Sequence, residues 1–222
     1  MPVNDEKYKE IITSLGDRIT LVAVSKTKPA EDIQALYDLG QRDFGENYVQ
    51  ELVDKQASLP KDIRWHFIGH LQTNKVKYIA PFVHLVHGVD SAKLLNEINK
   101  QAGKLGRKTD VLLQVHIARE ETKFGMDETE LAAALQEAEQ LPHVCVRGLM
   151  GMASFSDDTT VVRNEFKYLY SLFEKYRRPS SGGCDWSVLS MGMSGDYTIA
   201  IAEGSTMVRI GSLLFGERQY KK

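Results

Sequence analysis

The sequence lacks three features that would each point to a particular environment or partner. No run approaches the ~18 uninterrupted apolar residues of a membrane-spanning helix, and the polar start "MPVNDEKYKEIITSLG" is unlike a signal peptide. The 28 basic and 30 acidic side chains nearly cancel, and no segment concentrates lysine and arginine into the stripe that a nucleic-acid backbone demands. We therefore expect a cytoplasmic chain whose partner is neither a membrane nor a nucleic acid.

Cysteine is also scarce. Cys145 and Cys184 are the only two, and they lack the CxxC or Cys/His spacing of a zinc site. His66 and His70 lie four apart in "WHFIGHLQTNK", but this pair straddles a strand and its loop rather than one helical face. We expect two reduced thiols and no metal site.

What the chain does have is a regular alternation of two kinds of segment. Apolar residues recur three and four apart in residues 29 to 40, 91 to 105, 128 to 141 and 158 to 177, as in amphipathic helices. Eight short β-rich apolar runs alternate with the helical segments, at residues 20 to 25, 42 to 46, 63 to 69, 83 to 89, 110 to 117, 144 to 152, 186 to 193 and 206 to 212.

Alternating strands and helices imply parallel strands joined by right-handed crossovers, and eight such units can close a (β/α)8 TIM barrel. An open doubly wound sheet is the alternative, although it more often uses five or six strands. We expect one α/β domain over residues 1 to 222, with "RRPSSGGCDW" at 177 to 186 as a surface connection.

The first strand ends at a lysine, and a TIM barrel places its chemistry at the C-terminal ends of its strands. Lys26 follows the apolar run "LVAVS". A lysine partly removed from water has a lowered pKa and becomes a nucleophile that can form a Schiff base. A lysine whose stem is buried while its amine reaches solvent would leave the same pattern.

The last two strands are followed by residues suited to an anion. Ser194 and Gly195 of "MGMSGDYTIAI" supply a hydroxyl and a close backbone approach, although on that stretch alone a simple helix cap is the better explanation of Ser194. The eighth strand adds Gly211 and Ser212 in "VRIGS", and the loops after strands seven and eight commonly hold a phosphate. Arg209 shares a strand face with Gly211, so it points into the barrel toward either a ring nitrogen or an internal carboxylate.

Together, a Schiff-base lysine, a phosphate site and an inward arginine favour pyridoxal 5'-phosphate as the ligand. Its aldehyde, phosphate and ring nitrogen would each have a partner.

Seven segments carry a resemblance to a known family across residues 23 to 218: "AVSKTKP", "DFGENYVQE", "WHFIGHLQTNK", "KFGM", "GLMGM", "SMGMSGDY" and "VRIGSLLFGER". In them the chain resembles the pyridoxal phosphate homeostasis protein family. The resemblance implies a barrel related to the N-terminal domain of alanine racemase, a fold-type III enzyme, with Lys26 as the Schiff-base lysine. It also implies cofactor contacts from Asn47, from Arg209 at the pyridine nitrogen, and from the phosphate-binding set Ser194, Gly195, Gly211 and Ser212. His116 stands where relatives commonly show asparagine, so we expect no direct role for it.

Binding a cofactor does not establish catalysis, and three observations favour a carrier. Racemases of this type take a second base from an additional domain, and here the sequence ends about ten residues after the eighth run. An arginine will not give its proton to the ring, and no tyrosine or cysteine sits at a strand end opposite Lys26. We expect a non-catalytic protein, monomer or weak dimer by the resemblance, that buffers pyridoxal phosphate and passes it to apoenzymes. A weak amino-acid racemase and a cofactor-free Schiff-base aldolase are the alternatives.

Overall fold

The structure is a computed structural model that describes residues 3–120, 122–177, 179 and 183–216. The described residues form eight strands of four to seven residues each: β1 Thr20–Val24, β2 Asp43–Glu46, β3 Arg64–Phe67, β4 Leu85–Val89, β5 Thr109–Gln114, β6 Val144–Met150, β7 Val188–Met193 and β8 Met207–Ile210. The described helices are α1 Asp5–Leu15, α2 Ala30–Asp38, α3 Val49–Ser58, α4 Val76–Ile79, α5 Ala92–Lys104, α6 Glu128–Ala138, α7 Thr159–Lys175, α8 Tyr197–Ala202 and α9 Ser212–Phe215.

The strands form a closed parallel barrel in sequence order. Closure comes from β8 pairing with β1, where Val208 lies beside Leu21 and Arg209 beside Val22. A helix follows every strand, which confirms the predicted (β/α)8 architecture.

The strand and helix boundaries differ from the predicted ones by a few residues at each end. β7, for example, begins at Val188 and β8 ends at Ile210, because Gly211 and Ser212 already belong to the turn into α9. Part of the predicted connection at 177 to 186 lies outside the described residues. In the part of the chain that the structure describes, no helix combines the length and apolar character needed to cross a lipid bilayer.

Each strand buries both of its faces, as is usual where helices cover a parallel sheet. The larger apolar cluster lies between the barrel and its helices, and Phe44, Trp65 and Phe166 are among its largest fully buried members. A smaller cluster fills part of the barrel interior, with Val22, Leu85, Leu112, Met150 and Met207. Polar side chains, among them His66, His87, Ser190 and Arg209, are also buried on the strands.

The expectation of two reduced thiols is wrong. Cys145 and Cys184 form a disulfide, with their Cα atoms 5.4 Å apart, a separation within the usual range. Cys145 lies on β6, and Cys184 precedes β7, which pairs with β6. The pairing brings the cysteines together despite 39 residues between them in sequence, so spacing alone could not reveal it.

Candidate functional site

The C-terminal ends of the strands surround a cavity of about 620 Å³, a volume typical of small-molecule sites. Its wall is built from residues that follow β1, β2, β3, β6, β7 and β8. All seven residues predicted from the sequence line this one cavity: Lys26, Asn47, Ser194, Gly195, Arg209, Gly211 and Ser212. The fold therefore brings together groups that are up to 186 residues apart in the chain.

The backbone on both sides of Lys26 is held by acidic side chains from the next βα unit. The Ser25 hydroxyl donates to Glu46 Oε1 at 2.6 Å, and the Thr27 N–H donates to Glu51 Oε1 at 2.6 Å. Glu46 ends β2 and Glu51 lies in the first turn of α3. The segment "DFGENYVQE" thus supplies two hydrogen bonds that fix where Lys26 leaves the barrel.

A buried lysine completes this clamp. Lys55 Nζ lies 2.7 Å from Glu46 Oε1 and 2.6 Å from Glu51 Oε1, and it also donates to the Ser25 carbonyl at 2.8 Å. Burial raises the pKa of Glu46 to about 6, although the Lys55 cation acts to lower it. The other oxygen of Glu46, Oε2, is buried without a hydrogen-bond partner among the described residues.

Thr27 adopts a left-handed backbone conformation, with φ of 63°. A β-branched residue is rarely found there, and such a residue costs about 1–3 kcal/mol when the surrounding structure imposes it. The hydrogen bond from Thr27 N–H to Glu51 is a contact that opposes relaxation. The strained residue directly follows Lys26, in the loop between β1 and α2.

The loops after β7 and β8 meet beside the end of β1, on the same cavity wall. The Gly211 N–H donates to Ser194 Oγ at 3.2 Å, which joins the two loops. A Cβ at Gly195 would have no heavy atom within 4 Å, so the space over this residue is open, whereas a Cβ at Gly211 would lie 3.2 Å from the carbonyl oxygen of Val24. A hydroxyl, backbone N–H groups and open space together suit a phosphate.

Arg209 lines the same cavity as the lysine and this anion site, and its side chain is buried inside the barrel. Its Nη1 donates to the carbonyl of Ser190 at 2.8 Å and to Ser190 Oγ at 2.6 Å, and its Nη2 donates to the carbonyl of Gly151 at 3.0 Å. Burial lowers the pKa of Arg209 to about 10, and the carboxylate of Asp196 acts against that shift. A guanidinium has five N–H groups, so within the described residues two remain for a ligand.

A chain of hydrogen bonds runs from Arg209 through the barrel interior. Ser190 Oγ lies 3.1 Å from His87 Nδ1, His87 Nε2 lies 2.9 Å from His66 Nδ1, and His66 Nε2 lies 3.0 Å from Asp43 Oδ1. The five residues come from β8, β7, β4, β3 and β2.

The two charged ends set the direction of this chain. Although burial acts to raise it, hydrogen bonds from Arg64 and His66 hold the pKa of Asp43 well below its usual range, so Asp43 is an acceptor. Burial lowers the pKa of His87 well below its usual value, so its ring is neutral. His66 then donates to Asp43 and accepts from His87, which in turn accepts from the Ser190 hydroxyl. Ser190 accepts from the Arg209 cation, so the four hydrogen bonds have the same direction.

The cavity also contains residues that the sequence did not indicate. Lys28 and Asp196 line it, as does the loop after β6 from Met152 to Asp157. Lys28 Nζ donates to the carbonyl of Phe215 at 2.7 Å. Burial raises the pKa of Asp196, while its bond to the Met193 N–H acts to lower it. In the sequence, only their position near the end of a strand would have indicated that these residues line the cavity.

His116 is not on the cavity wall, and its Nε2 lies 3.0 Å from the carbonyl oxygen of Glu120. His70 is bonded to Asp90 at 3.0 Å and stacks on Phe124 with ring centroids 4.2 Å apart. Neither histidine forms part of the candidate site.

Three properties of the wall are those of a ligand site rather than of a filled core. Asn47 Oδ1 is buried with no partner among the described residues. The space over Gly195 is open, and Arg209 retains donors. A buried polar atom without a partner costs free energy, so a molecule with complementary polar groups would satisfy these positions. The wall thus provides an amine, an anion site and a fixed cation.

The fold and this cavity define a class: the chain is a (β/α)8 barrel of the family described as "Alanine racemase, N-terminal domain", which matches residues 5–219. Within that class, the chain belongs to the pyridoxal phosphate homeostasis proteins. It is 41% identical over 209 residues to the protein of that name from Pasteurella multocida, a match that covers 92% of this chain and 88% of the relative.

Solved structures show the same relationship. PipY of Synechococcus elongatus PCC7942, determined without PLP, superposes with a TM-score of 0.89 at 37% identity, covering 95% of this chain and 99% of that one. The structure of the same protein with PLP bound gives a TM-score of 0.86 at 36% identity, with the same coverage.

Proposed function

We propose that the chain binds pyridoxal 5'-phosphate in the cavity at the C-terminal ends of the strands and takes part in controlling its free concentration. The observation that carries this proposal is the common wall on which Lys26, Arg209 and the two loops after β7 and β8 lie. The relatives named for pyridoxal phosphate homeostasis, and the structural neighbour with PLP bound, support it.

Each part of the ligand has a matching group in this arrangement. The Lys26 amine would hold the aldehyde covalently, while Ser194, Gly195, Gly211 and Ser212 would hold the phosphate. Arg209 would donate a hydrogen bond to the ring nitrogen. Asn47, whose amide can present either an oxygen or an NH2 group, would contact the ring substituents.

The same residues support a carrier rather than a catalyst. The bound cofactor would supply an electron sink, and its ring withdraws electrons best when its nitrogen is protonated. Arg209, with a pKa of about 10, stays charged at neutral pH and keeps its proton. Among the described residues that line the cavity there is no tyrosine, cysteine or histidine to act as a second acid or base opposite Lys26.

Free aldehyde reacts with stray amines, so sequestration has a chemical purpose. We further propose that the loaded protein passes its cofactor to apoenzymes and that it acts as a monomer or weak dimer. Loaded protein that cannot activate any apoenzyme faster than spontaneous release would contradict delivery and leave buffering intact.

The central test is borohydride reduction of protein loaded with pyridoxal phosphate, followed by peptide mapping. Lys28 lines the same cavity two residues further along, so Lys28→Ala is the matched control for Lys26→Ala. We expect a pyridoxyl-phosphate adduct on Lys26 in the wild type and in Lys28→Ala, and none in Lys26→Ala. An unmodified wild type, or an adduct that survives in Lys26→Ala, would refute the assignment.

A further inference from the structure

The foot of the barrel, at the end opposite the cavity, carries a separate cluster of metal-ligand side chains. Asp43 begins β2, His66 lies in β3, and His84 directly precedes β4. These strands are neighbours in the barrel. One carboxylate oxygen and one nitrogen from each imidazole all lie within 4.8 Å of one another. Asp43 and His66 are buried and His84 is exposed, so solvent reaches the cluster past His84.

We propose that Asp43, His66 and His84 bind a divalent transition-metal ion, with zinc as the best chemical match. Two imidazoles and one carboxylate are typical ligands of zinc, whereas magnesium and calcium take oxygen ligands. Three protein ligands leave one tetrahedral position for water on the exposed side. The sequence did not indicate this site, because its ligands are 23 and 18 residues apart and share no helix.

The two buried ligands are already oriented by second contacts. Without metal, His66 Nε2–H donates to Asp43 Oδ1 at 3.0 Å. Metal binding requires the other neutral tautomer of His66, in which Nδ1–H donates to His87 Nε2, 2.9 Å away, and the lone pair of Nε2 faces the metal. Asp43 Oδ2 accepts from Arg64 Nη2 at 2.5 Å. Such partners fix the ring and the carboxylate of a metal site.

His84 is the ligand that must move. Ligand atoms around a tetrahedral zinc with bonds of about 2.1 Å lie ~3.4 Å apart. The rings of His66 and His84 are 5.4 Å apart between centroids. The His84 ring is exposed at the start of a strand, so a side-chain rotation can bring its nitrogen closer without disturbing the barrel.

Arg64 competes with the metal for the carboxylate of Asp43, so the proposal predicts a specific effect of removing the Arg64 charge. Its Nε donates to Asp43 Oδ1 at 2.7 Å, the oxygen that also faces His66. The Arg64 side chain is 48% exposed, so it can release that oxygen and keep its bond to Oδ2. Removing its charge with Arg64→Gln should therefore tighten metal binding, although it removes a salt bridge from the apo protein.

The test is a Co²⁺ titration of the full chain, without a histidine tag and after treatment with a chelator. Co²⁺ in a tetrahedral site gives visible absorption, and Zn²⁺ should displace it. The variants are His84→Ala, Arg64→Gln and the control His70→Ala, which removes an exposed histidine bonded to Asp90 outside this cluster.

We expect one Co²⁺ per chain in the wild type and in His70→Ala, and tighter binding in Arg64→Gln. His84→Ala should bind at least ~100-fold more weakly, the upper end of the loss seen even for outer-contact partners. Zn²⁺ should raise the melting temperature of the wild type and leave that of His84→Ala unchanged. Absence of one-to-one Co²⁺ binding, or equal binding by the wild type and His84→Ala, would overturn the proposal. None of these readouts requires pyridoxal phosphate to be bound.

Discussion

The buried carboxyl of Glu46 makes the stability of this protein depend on pH in a way that can be calculated. Burial raises the pKa of Glu46 from 4.5 to about 6. A carboxyl whose pKa is higher in the folded state than in the unfolded state contributes stability at low pH, where both states are protonated. That contribution is lost as the pH rises from 4.5 through 6.

The size of the effect follows from the shift. One pKa unit corresponds to 1.36 kcal/mol, so a shift of about 1.5 units corresponds to about 2 kcal/mol. Glu46→Gln removes the titration but keeps an acceptor for Ser25 and Lys55, which bond to Oε1. The wild type should therefore lose about 2 kcal/mol of unfolding free energy relative to Glu46→Gln between pH 4 and pH 7.

The assay is urea unfolding of cofactor-free protein at several pH values across this range. Glu10→Gln, which removes a surface carboxyl paired with Lys7, controls for the loss of one negative charge. The difference in unfolding free energy between the wild type and Glu46→Gln should change by about 2 kcal/mol, and that for the control should stay nearly constant. A difference that does not vary with pH, or that varies in the opposite direction, would show that Glu46 is not a destabilised carboxylate.

Three further substitutions test the clamp and the cavity. Lys55→Met removes the cation from buried Glu46 and should cost about 3–5 kcal/mol of unfolding free energy; a loss below about 1 kcal/mol in urea unfolding at pH 7 would contradict the clamp. Gly195→Ala places a methyl group in open space, so stability should change by less than about 0.5 kcal/mol. The same change should weaken pyridoxal phosphate binding, measured by absorbance titration, and unchanged affinity would argue against a phosphate there. Gly69→Ala would place a Cβ 2.6 Å from the Asn47 carbonyl oxygen, so calorimetry should show a destabilisation of about 1–3 kcal/mol, and a wild-type melting temperature would contradict this.

The barrel could be predicted from the sequence because its pattern is local and repeated. The strands are runs of four to seven residues, most of them mainly apolar, and each long helix has its own periodicity, so alternation alone gives the architecture. The position of Lys26, Ser194 and Gly211 at strand ends was enough to place them around one cavity, since parallel strands in a barrel end at the same face.

Contacts across the barrel could not be predicted in the same way. The clamp of Glu46 and Lys55 depends on how α3 packs on β2, and the disulfide of Cys145 and Cys184 depends on the pairing of β6 with β7. Neither contact can be predicted from residue type or from spacing in the sequence. Asp196 went unnoticed for a different reason, because a carboxylate beside an anion site conflicts with simple charge complementarity.

The polar interior follows physically from Arg209. A buried guanidinium must have acceptors, because an uncompensated buried charge is costly. No carboxylate contacts it within the described residues, and the groups that accept its hydrogen bonds there, the carbonyls of Ser190 and Gly151 and the Ser190 hydroxyl, are neutral. The relay through the two histidines connects it to the negative charge of Asp43 by hydrogen bonds between neutral groups. His66 lies at an inward-facing position of β3. In the sequence, an inward histidine together with an inward arginine is the pattern that would indicate such a relay. Apolar residues in place of Ser190, His87 and His66 would keep the barrel filled but remove the hydrogen bonds that join Arg209 to Asp43. The first group affected would be the Arg209 cation, which faces the ligand.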